Sequence, residues 1–222
     1  MLIAEFPLLL RKSHFCFVPG PKDVSSGAAN VLPRPPLPHS FTEMLRGKLQ
    51  NVTFASNPCR IRFYTQEIVI FRDNILSKIR RNCVLPPTDI ADPPKNEGSA
   101  RKQCAVNTTG LSMHGMPVHR AGSLKPSGPI FNQVKSTEHL VKTLLDQAHI
   151  CPLPLHVNPV YWQYDHALRL YPLPDVIVLA DFYDQYHWCY EECVALNPGS
   201  FPTEFSFVVY RPSSRGTEFS RV

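Results

Sequence analysis

Asp175-Val176-Ile177-Val178-Leu179-Ala180-Asp181 sets five consecutive apolar residues between two aspartates, with Pro172 and Pro174 just upstream. The run is too short for a helix of ordinary length and is dominated by β-branched side chains. It predicts a strand covered on both faces, as in the parallel interior of an α/β sheet. Everything that flanks it reads as supporting elements. Downstream, Val194 to Leu196 and Phe205 to Tyr210 are further strand candidates, joined by the turn Asn197-Pro198-Gly199-Ser200. Upstream, Tyr164 to Leu170 reads as a short helix, and Leu153, Leu155 and Val157 alternate as a strand would. Leu140, Val141, Leu144, Leu145 and Ala148 mark one face of a helix that starts at Ser136 or Thr137.

Towards the N-terminus the pattern remains mixed. Phe15-Cys16-Phe17-Val18 reads as a buried strand closed by Pro19-Gly20-Pro21, and Met1 to Leu10 as the tail of a helix or strand. Val31 to Pro38 holds four prolines and predicts an extended surface segment without ladder bonds. Ser40 and Glu43 have capping-box spacing, and Gly47 offers a stop. Val52 to Ala55 is a strand candidate. Ile61 to Tyr64 and Glu67 to Phe71 suggest a hairpin around Thr65-Gln66. Asp73 is placed to cap a helix whose stripe is Ile75, Leu76, Ile79 and Cys83, with Arg80 and Arg81 at its C-terminal end and Pro86-Pro87 ending it.

Residues 88–135 are rich in Pro, Gly, Ser, Asn and Lys without apolar period, which predicts disorder. Charge is unevenly placed. The chain has 23 basic and 18 acidic residues, net +5, yet residues 98–137 alone hold five basic side chains and no acid. The remainder is neutral. Arg60 to Arg81 carries six basic residues against Glu67 and Asp73. Asp175 to Glu204 carries six acids and no Lys or Arg. An acidic face repels phosphate, so the surface as a whole is not a nucleic-acid groove. The basic patch (Arg60, Arg62, Lys78, Arg80 and Arg81) is either a solvated helix face or a DNA contact. Prolines number 23 in 222, which rules out a long coiled coil. No run of 18 apolar residues suggests a membrane helix, and the N-terminus has the reverse of a signal peptide's charge order. Asn51-Val52-Thr53 and Asn107-Thr108-Thr109 match the glycosylation pattern and are read as chance matches.

Seven singly spread cysteines form no disulfide framework and read as buried thiols in a reducing compartment. Cys189 and Cys193 with His187 fall short of the four ligands a structural zinc requires, and His114 and His119 have no carboxylate nearby. No P-loop, dinucleotide, nucleophile-elbow or zincin pattern occurs. Tyr183, Tyr186, Trp188 and Tyr190 cluster with Asp181, Asp184, Glu191 and Glu192. Aromatic residues of this kind stack on single-stranded bases or anchor a protein contact, and the acids favour protein. Asp181, Tyr183, Tyr186 and Trp188 are the candidate contact residues.

Six segments together resemble a known family: Phe17-Val18-Pro19-Gly20-Pro21-Lys22-Asp23, Asn57-Pro58-Cys59-Arg60-Ile61, Arg80-Arg81-Asn82-Cys83, Pro152-Leu153-Pro154-Leu155 with Pro159-Val160-Tyr161-Trp162, Tyr171-Pro172-Leu173-Pro174-Asp175 and Asn197-Pro198-Gly199-Ser200-Phe201. They are similar to the B subunits of eukaryotic replicative DNA polymerases, the epsilon branch above all. The resemblance spans residues 13–90 and 136–212 in one order. It implies the C-terminal part of a calcineurin-like phosphoesterase fold, an α/β arrangement of two packed sheets with flanking helices. The expected organisation is a first part at 1–90, a disordered insertion at 91–135, the remainder at 136–212 and a tail at 213–222. The resemblance further implies a non-catalytic scaffold in a nuclear replication complex. Its partners would be the C-terminal region of the catalytic subunit, the other holoenzyme subunits and DNA within the complex, with no membrane and no cofactor. Active relatives of the fold hold two metals; a strand ending in Gly-Asn-His-Asp gives one ligand and the catalytic His, and a later strand ends in Gly-His-x-His. Here Gly20-Pro21-Lys22-Asp23 and Ala180-Asp181-Phe182-Tyr183 stand at those places, so catalysis is not expected. The rival readings are an active metal-dependent phosphodiesterase or exonuclease, and a direct DNA-binding module.

Overall fold

The computed structural model describes residues 7–24, 30–83 and 130–221. Helix α1 (Pro7–Lys12) leads into β1 (Phe15–Phe17), followed by α2 (His39–Lys48) and β2 (Val52–Phe54). The chain continues through β3 (Cys59–Phe63), β4 (Gln66–Phe71), α3 (Ile75–Asn82) and α4 (Ile130–Asp146). A 3₁₀ helix (Trp162–Leu168) precedes β5 (Val176–Leu179), β6 (Tyr186–Tyr190) and β7 (Cys193–Asn197). A short α5 (Phe201–Glu204) and the hairpin β8 (Ser206–Arg211) and β9 (Gly216–Arg221) complete the described chain. The architecture is mixed α/β.

Five strands form the main sheet in the order β3-β4-β5-β7-β6. The apolar run at 176–179 lies at its centre, parallel to β4 (Ile68↔Val176 to Phe71↔Leu179) and to β7 (Val176↔Val194 to Val178↔Leu196). The edges β3 and β6 are antiparallel to their neighbours. Side chains alternate across the sheet, as the period of two requires. Val69, Phe71, Ile177, Leu179 and Ala195 face a helical layer in which Ile75 and Leu76 of α3 and Leu140, Val141, Leu144 and Leu145 of α4 are buried. Val176, Val194 and Leu196 face the other way and are covered by Val208 and Tyr210 of β8. Each fully buried Leu, Ile or Val contributes about 1.5–3 kcal/mol, so the central strand anchors two cores at once. β1 and β2 form a separate two-stranded parallel sheet.

Several expectations need correcting. Val31 to Pro38 is not a surface segment. Leu32 and Arg34 are buried, and they retain the amide groups that the intervening prolines lack. Leu32 N–H donates to Pro159 O (3.0 Å), and Arg34 N–H to Asn57 O (2.7 Å). The 153–157 strand is absent: Pro152 and Pro154 lack ladder donors, and Val157 N–H turns back to Pro154 O (2.9 Å). Ser40 caps nothing. Helix α2 begins two residues earlier, at His39 behind Pro38, and it runs past Gly47. The β3–β4 turn is Tyr64-Thr65, one residue before the expected pair, with Tyr64 at φ 52°. The expected strands at 194–196 and 205–210 belong to different sheets and have α5 between them. Of residues 213–222, expected as a tail, 216–221 pair with β8 along its whole length. Within the 91–135 stretch, residues 130–135 belong to α4; the rest lies outside the described residues, as does Pro86-Pro87. Cys59, Cys151 and Cys193 are buried as expected, but Cys16 and Cys189 are exposed and Cys83 is half-buried.

Candidate functional site

The carboxyl ends of β4, β5 and β7 converge on one rim of the sheet, the usual place for a site in a parallel α/β arrangement. β4 delivers Arg72 and Asp73, β5 delivers Asp181, and β7 ends at Asn197. Beneath this rim lies a buried polar framework. Asn57 Nδ2 donates to Pro19 O (3.0 Å) and Arg72 O (2.6 Å), and its Oδ1 accepts Arg72 N–H (3.1 Å). The buried Asp73 carboxylate takes two bonds from Lys78 Nζ (2.7 and 3.0 Å), one from Asn158 Nδ2 (3.3 Å), and an ion pair with Arg34 (3.7 Å). Arg34 is fully buried, and desolvation pulls its guanidinium below its usual range despite Asp73. Asp73 is therefore the anchor of a charge cluster and not a helix cap.

The cap on α3 comes from another element. Asp181 is 6% exposed. Its Oδ2 accepts Leu76 N–H (3.0 Å) and its Oδ1 accepts Phe182 N–H (2.7 Å). Desolvation raises its carboxyl above the ordinary value, and the two amide bonds oppose that shift. Asn197 Nδ2 ties the following loop down, donating to Tyr183 O (3.1 Å) and Asp181 O (3.4 Å). On the opposite side of the rim, Gly20 N–H is held by Asp23 (2.7 Å), and Arg72 bonds Val18 O (2.7 Å) and Asp23 (3.2 Å). Lys22 extends from this loop over the Phe182 ring, 5.1 Å from its centroid.

Phe182, Tyr183 and Asp184 join Asn74 and Ser77 of the α3 start to line an open cleft of about 350 Å³. The Phe182 ring is 61% exposed, and Asp184 is exposed. Asn74 Oδ1 is buried and receives no hydrogen bond. Tyr183 is half-buried, and its hydroxyl accepts a bond from Arg80 (3.0 Å).

The four candidate contact residues thus occupy different positions. Asp181 is enclosed by the chain's own amides. The Tyr186 hydroxyl is buried without a partner, and burial pushes its pKa up, with Asp181 adding to the effect. Trp188 is half-buried, its Nε1 donating to Thr137 of α4 (3.1 Å). Only Tyr183 lies on the cleft. The stretch read as an aromatic cluster in fact includes an edge strand, β6, whose Tyr186, Trp188 and Tyr190 pack towards the helical layer. Phe182, Asn74 and Ser77 escaped the sequence reading. The alternation of Tyr186, Trp188 and Tyr190 is the signal that could have marked these aromatic residues, read as contact anchors, as packing groups instead.

The basic residues are split between two elements. Arg60 and Arg62 lie on the β3 edge; Lys78, Arg80 and Arg81 lie on α3. Arg60 pairs with Glu67 and donates to Arg169 O, Lys78 is committed to Asp73 and Asn158, and Arg80 to Tyr183. Arg62 and Arg81 are exposed. Among the described residues no three His, Cys, Asp or Glu side chains converge as a metal site requires, and no helix is long and apolar enough to cross a membrane.

A rim of this kind, with buried charge pairs and a helix cap at its strand ends, defines an α/β scaffold with an open cleft on its rim. Comparison with known proteins specifies the lineage. The family of DNA polymerase alpha/epsilon B subunits matches residues 1–188, and the chain belongs to it. It is 39% identical over its whole length to human DNA polymerase epsilon subunit 2, of which it covers 34%. The DNA polymerase epsilon B subunit of Arabidopsis thaliana is 39% identical over 99% of the chain and 34% of that protein. The Saccharomyces cerevisiae B subunit is 33% identical over 97% of the chain and 31% of that protein. The chain therefore spans about a third of the length of these relatives and corresponds to their C-terminal part.

Proposed function

We propose that the chain is a non-catalytic accessory subunit of DNA polymerase epsilon, acting in the nucleus as a scaffold for the C-terminal region of the catalytic subunit. We further propose that its fold is the C-terminal part of a calcineurin-like phosphoesterase domain whose catalytic positions have been given structural work. The whole-length similarity to epsilon B subunits supports the assignment to that complex. The observation that carries the non-catalytic reading is Asp181. It is the acid where the fold would place a ligand, yet both its oxygens accept backbone amides and hold α3. Pro21 offers no donor atom, and Lys22 lies over Phe182, bringing a cation to the rim. A two-metal centre needs both ions fully ligated about 4 Å apart.

A phosphodiesterase assay of the purified chain with Mn²⁺, Mg²⁺ and Zn²⁺ tests this reading. No metal-dependent turnover is expected. Turnover abolished by Asp181→Ala would establish the enzyme alternative instead. The DNA-module alternative would be supported by salt-dependent duplex binding that weakens on changing Arg62 and Arg81, exposed members of the basic set that make no ion pair or side-chain hydrogen bond among the described residues.

A further inference from the structure

The main sheet ends at β6, and no strand pairs with the outer side of β6 among the described residues. An edge strand presents a row of free backbone N–H and C=O groups, which proteins ordinarily guard with charge, proline, a bulge or a short strand. The opposite edge of the sheet is guarded: β3 carries Arg60 and Arg62, and Arg60 donates to Arg169 O. The hairpin strands β8 and β9 carry Arg211, Glu218 and Arg221. β1 and β2 are only three residues long. β6 differs from all of these. It runs for five residues, Tyr186-His187-Trp188-Cys189-Tyr190, without a Lys, Arg, Asp, Glu, Pro or Gly. We propose that the outer side of β6 takes up an extended segment of a partner polypeptide as a sixth strand, with a lysine or arginine at the end that meets Glu191 and Glu192. The inference rests on the accessory-subunit reading only for the existence of a polypeptide partner; the edge and its charges stand on the residues alone.

Charge selects the occupant. The turn that follows β6 is Glu191-Glu192, both exposed, and neither carboxylate pairs with a cation among the described residues. Lys142 and Asp146 of α4 both lie against Tyr190 at this end. Lys142 Nζ is 5.3 Å from the ring centroid and Asp146 accepts the hydroxyl (2.7 Å), so the two offset each other. Three carboxylates thus stand beside one ammonium, and a basic residue on an added strand is complementary to the surplus. At the other end Asp184 is exposed, but Arg80 on Tyr183 and Lys22 over Phe182 are close by, so no sign is prescribed there. A second copy of the chain is a poor occupant. Antiparallel pairing of two β6 edges centred on Trp188 sets Asp184 opposite Glu192 at both ends, acid against acid. A nucleic-acid strand is repelled by the same acids and has no peptide groups to complete a ladder. Tyr186, Trp188 and Tyr190 pack towards the helical layer, whereas His187 and Cys189 are exposed on the other face, where side chains of an added strand find room.

The test titrates the 222-residue chain with the peptide acetyl-Lys-Thr-Val-Thr-Val-Thr-Lys-amide, whose two lysines make the strand direction immaterial. The controls are the same peptide with glutamate at both ends, and a version N-methylated at every Thr and Val, which lacks ladder donors. Hydrogen exchange of the backbone amides of residues 186–190 is followed by NMR. In the free chain the amides bonded to β7 exchange slowly and the outward ones fast; the lysine peptide is expected to slow the outward set. The N-methylated peptide is expected not to bind, and the glutamate peptide to bind about tenfold more weakly. Glu191 and Glu192 have φ of 47° and 66°, which suits an Asn-Gly turn. The double change Glu191→Asn, Glu192→Gly therefore removes both charges without lowering the thermal midpoint, and is expected to weaken the lysine peptide about threefold. Equal binding of the lysine and glutamate peptides, or of the N-methylated one, would overturn the proposal. So would outward amides already slow in the free chain. Slow exchange in a monomer would assign the edge to the chain's own residues, and slow exchange that appears only with a dimer in light scattering would assign it to a second copy. Co-purification of the wild-type chain with the epsilon catalytic subunit is scored separately. If the complex forms but the lysine peptide does not bind, the edge inference fails and the accessory-subunit reading stands. If the peptide binds but no complex forms, the accessory-subunit reading fails.

Discussion

Asp181→Asn separates a helix-capping carboxylate from a metal ligand. The native carboxylate offers two acceptor oxygens to two amides, Leu76 N–H at 3.0 Å and Phe182 N–H at 2.7 Å, in a site 6% exposed. Asparagine keeps one acceptor and turns an NH₂ group towards the second amide, leaving a buried donor unsatisfied at a cost of about 1–3 kcal/mol. Relief of carboxylate desolvation offsets part of that, so the expected loss at pH 7 is about 1–2 kcal/mol. Alanine removes both acceptors and the cap, and is expected to cost about 2–4 kcal/mol. The linkage has a definite sign. Burial raises the folded-state carboxyl above its ordinary value of 3.8, so the native state holds the proton more tightly than the unfolded state. Wild-type stability from this group is highest below pH 3.8 and declines as pH rises through the folded value. The asparagine variant lacks that decline, so its deficit narrows between acid and neutral pH. Urea unfolding of both proteins across that range measures the effect. A deficit below about half a kcal/mol at all pH values would show that the carboxylate does not hold α3. Stabilisation of wild type but not Asp181→Asn by Mn²⁺ would show that it binds metal.

Asp73→Asn removes the counter-charge of buried Arg34 and half-buried Lys78 and is expected to destabilise by about 3–5 kcal/mol in urea unfolding; under 1 kcal/mol would mean that the cluster does not support the rim. Leu144→Ala and Ile177→Ala each open a void in the same fully buried core and should cost about 2–5 kcal/mol, measured by thermal and urea unfolding; near-neutral results at both would displace the core. Asp165 gives the opposite pH signature. Desolvation pushes its carboxyl up, but hydrogen bonds from Arg169 (3.0 and 3.1 Å) and His149 (3.3 Å) outweigh this and leave it below its ordinary 3.8. Its contribution is complete above pH 3.8 and lost as pH falls through the folded value, so Asp165→Asn should flatten that part of the acid limb.

The elements legible in the sequence were those whose local pattern and tertiary environment agree. Val176 to Leu179 reads as a doubly covered strand because β-branched residues fill both of its faces, and Leu144 reads as core from the helix stripe alone. The mistakes arose where long-range contacts determine the outcome. Leu32 and Arg34 look like a proline-rich surface stretch until Pro159 and Asn57 provide bridging partners more than twenty residues away. Residues 216–221 have little apolar content and become a strand because β8 offers an open edge. Asp181 takes the capping role expected of Asp73 for the same reason. Local spacing puts Asp73 before a helix, but tertiary packing sets Arg34, Lys78 and Asn158 around it and brings Asp181 across from β5 to bind the helix amides. The cleft could not be read locally, since Asn74 and Phe182 are more than a hundred residues apart.

The central claim is that this chain assembles with a polymerase and does not catalyse phosphoester cleavage. The most direct test is co-expression of the chain with the C-terminal region of the DNA polymerase epsilon catalytic subunit, followed by light scattering of the eluted species. The account predicts a single complex with the mass of one copy of each partner. Separate elution of a well-folded 222-residue chain from a well-folded catalytic-subunit region, with both at the same concentration, would contradict it.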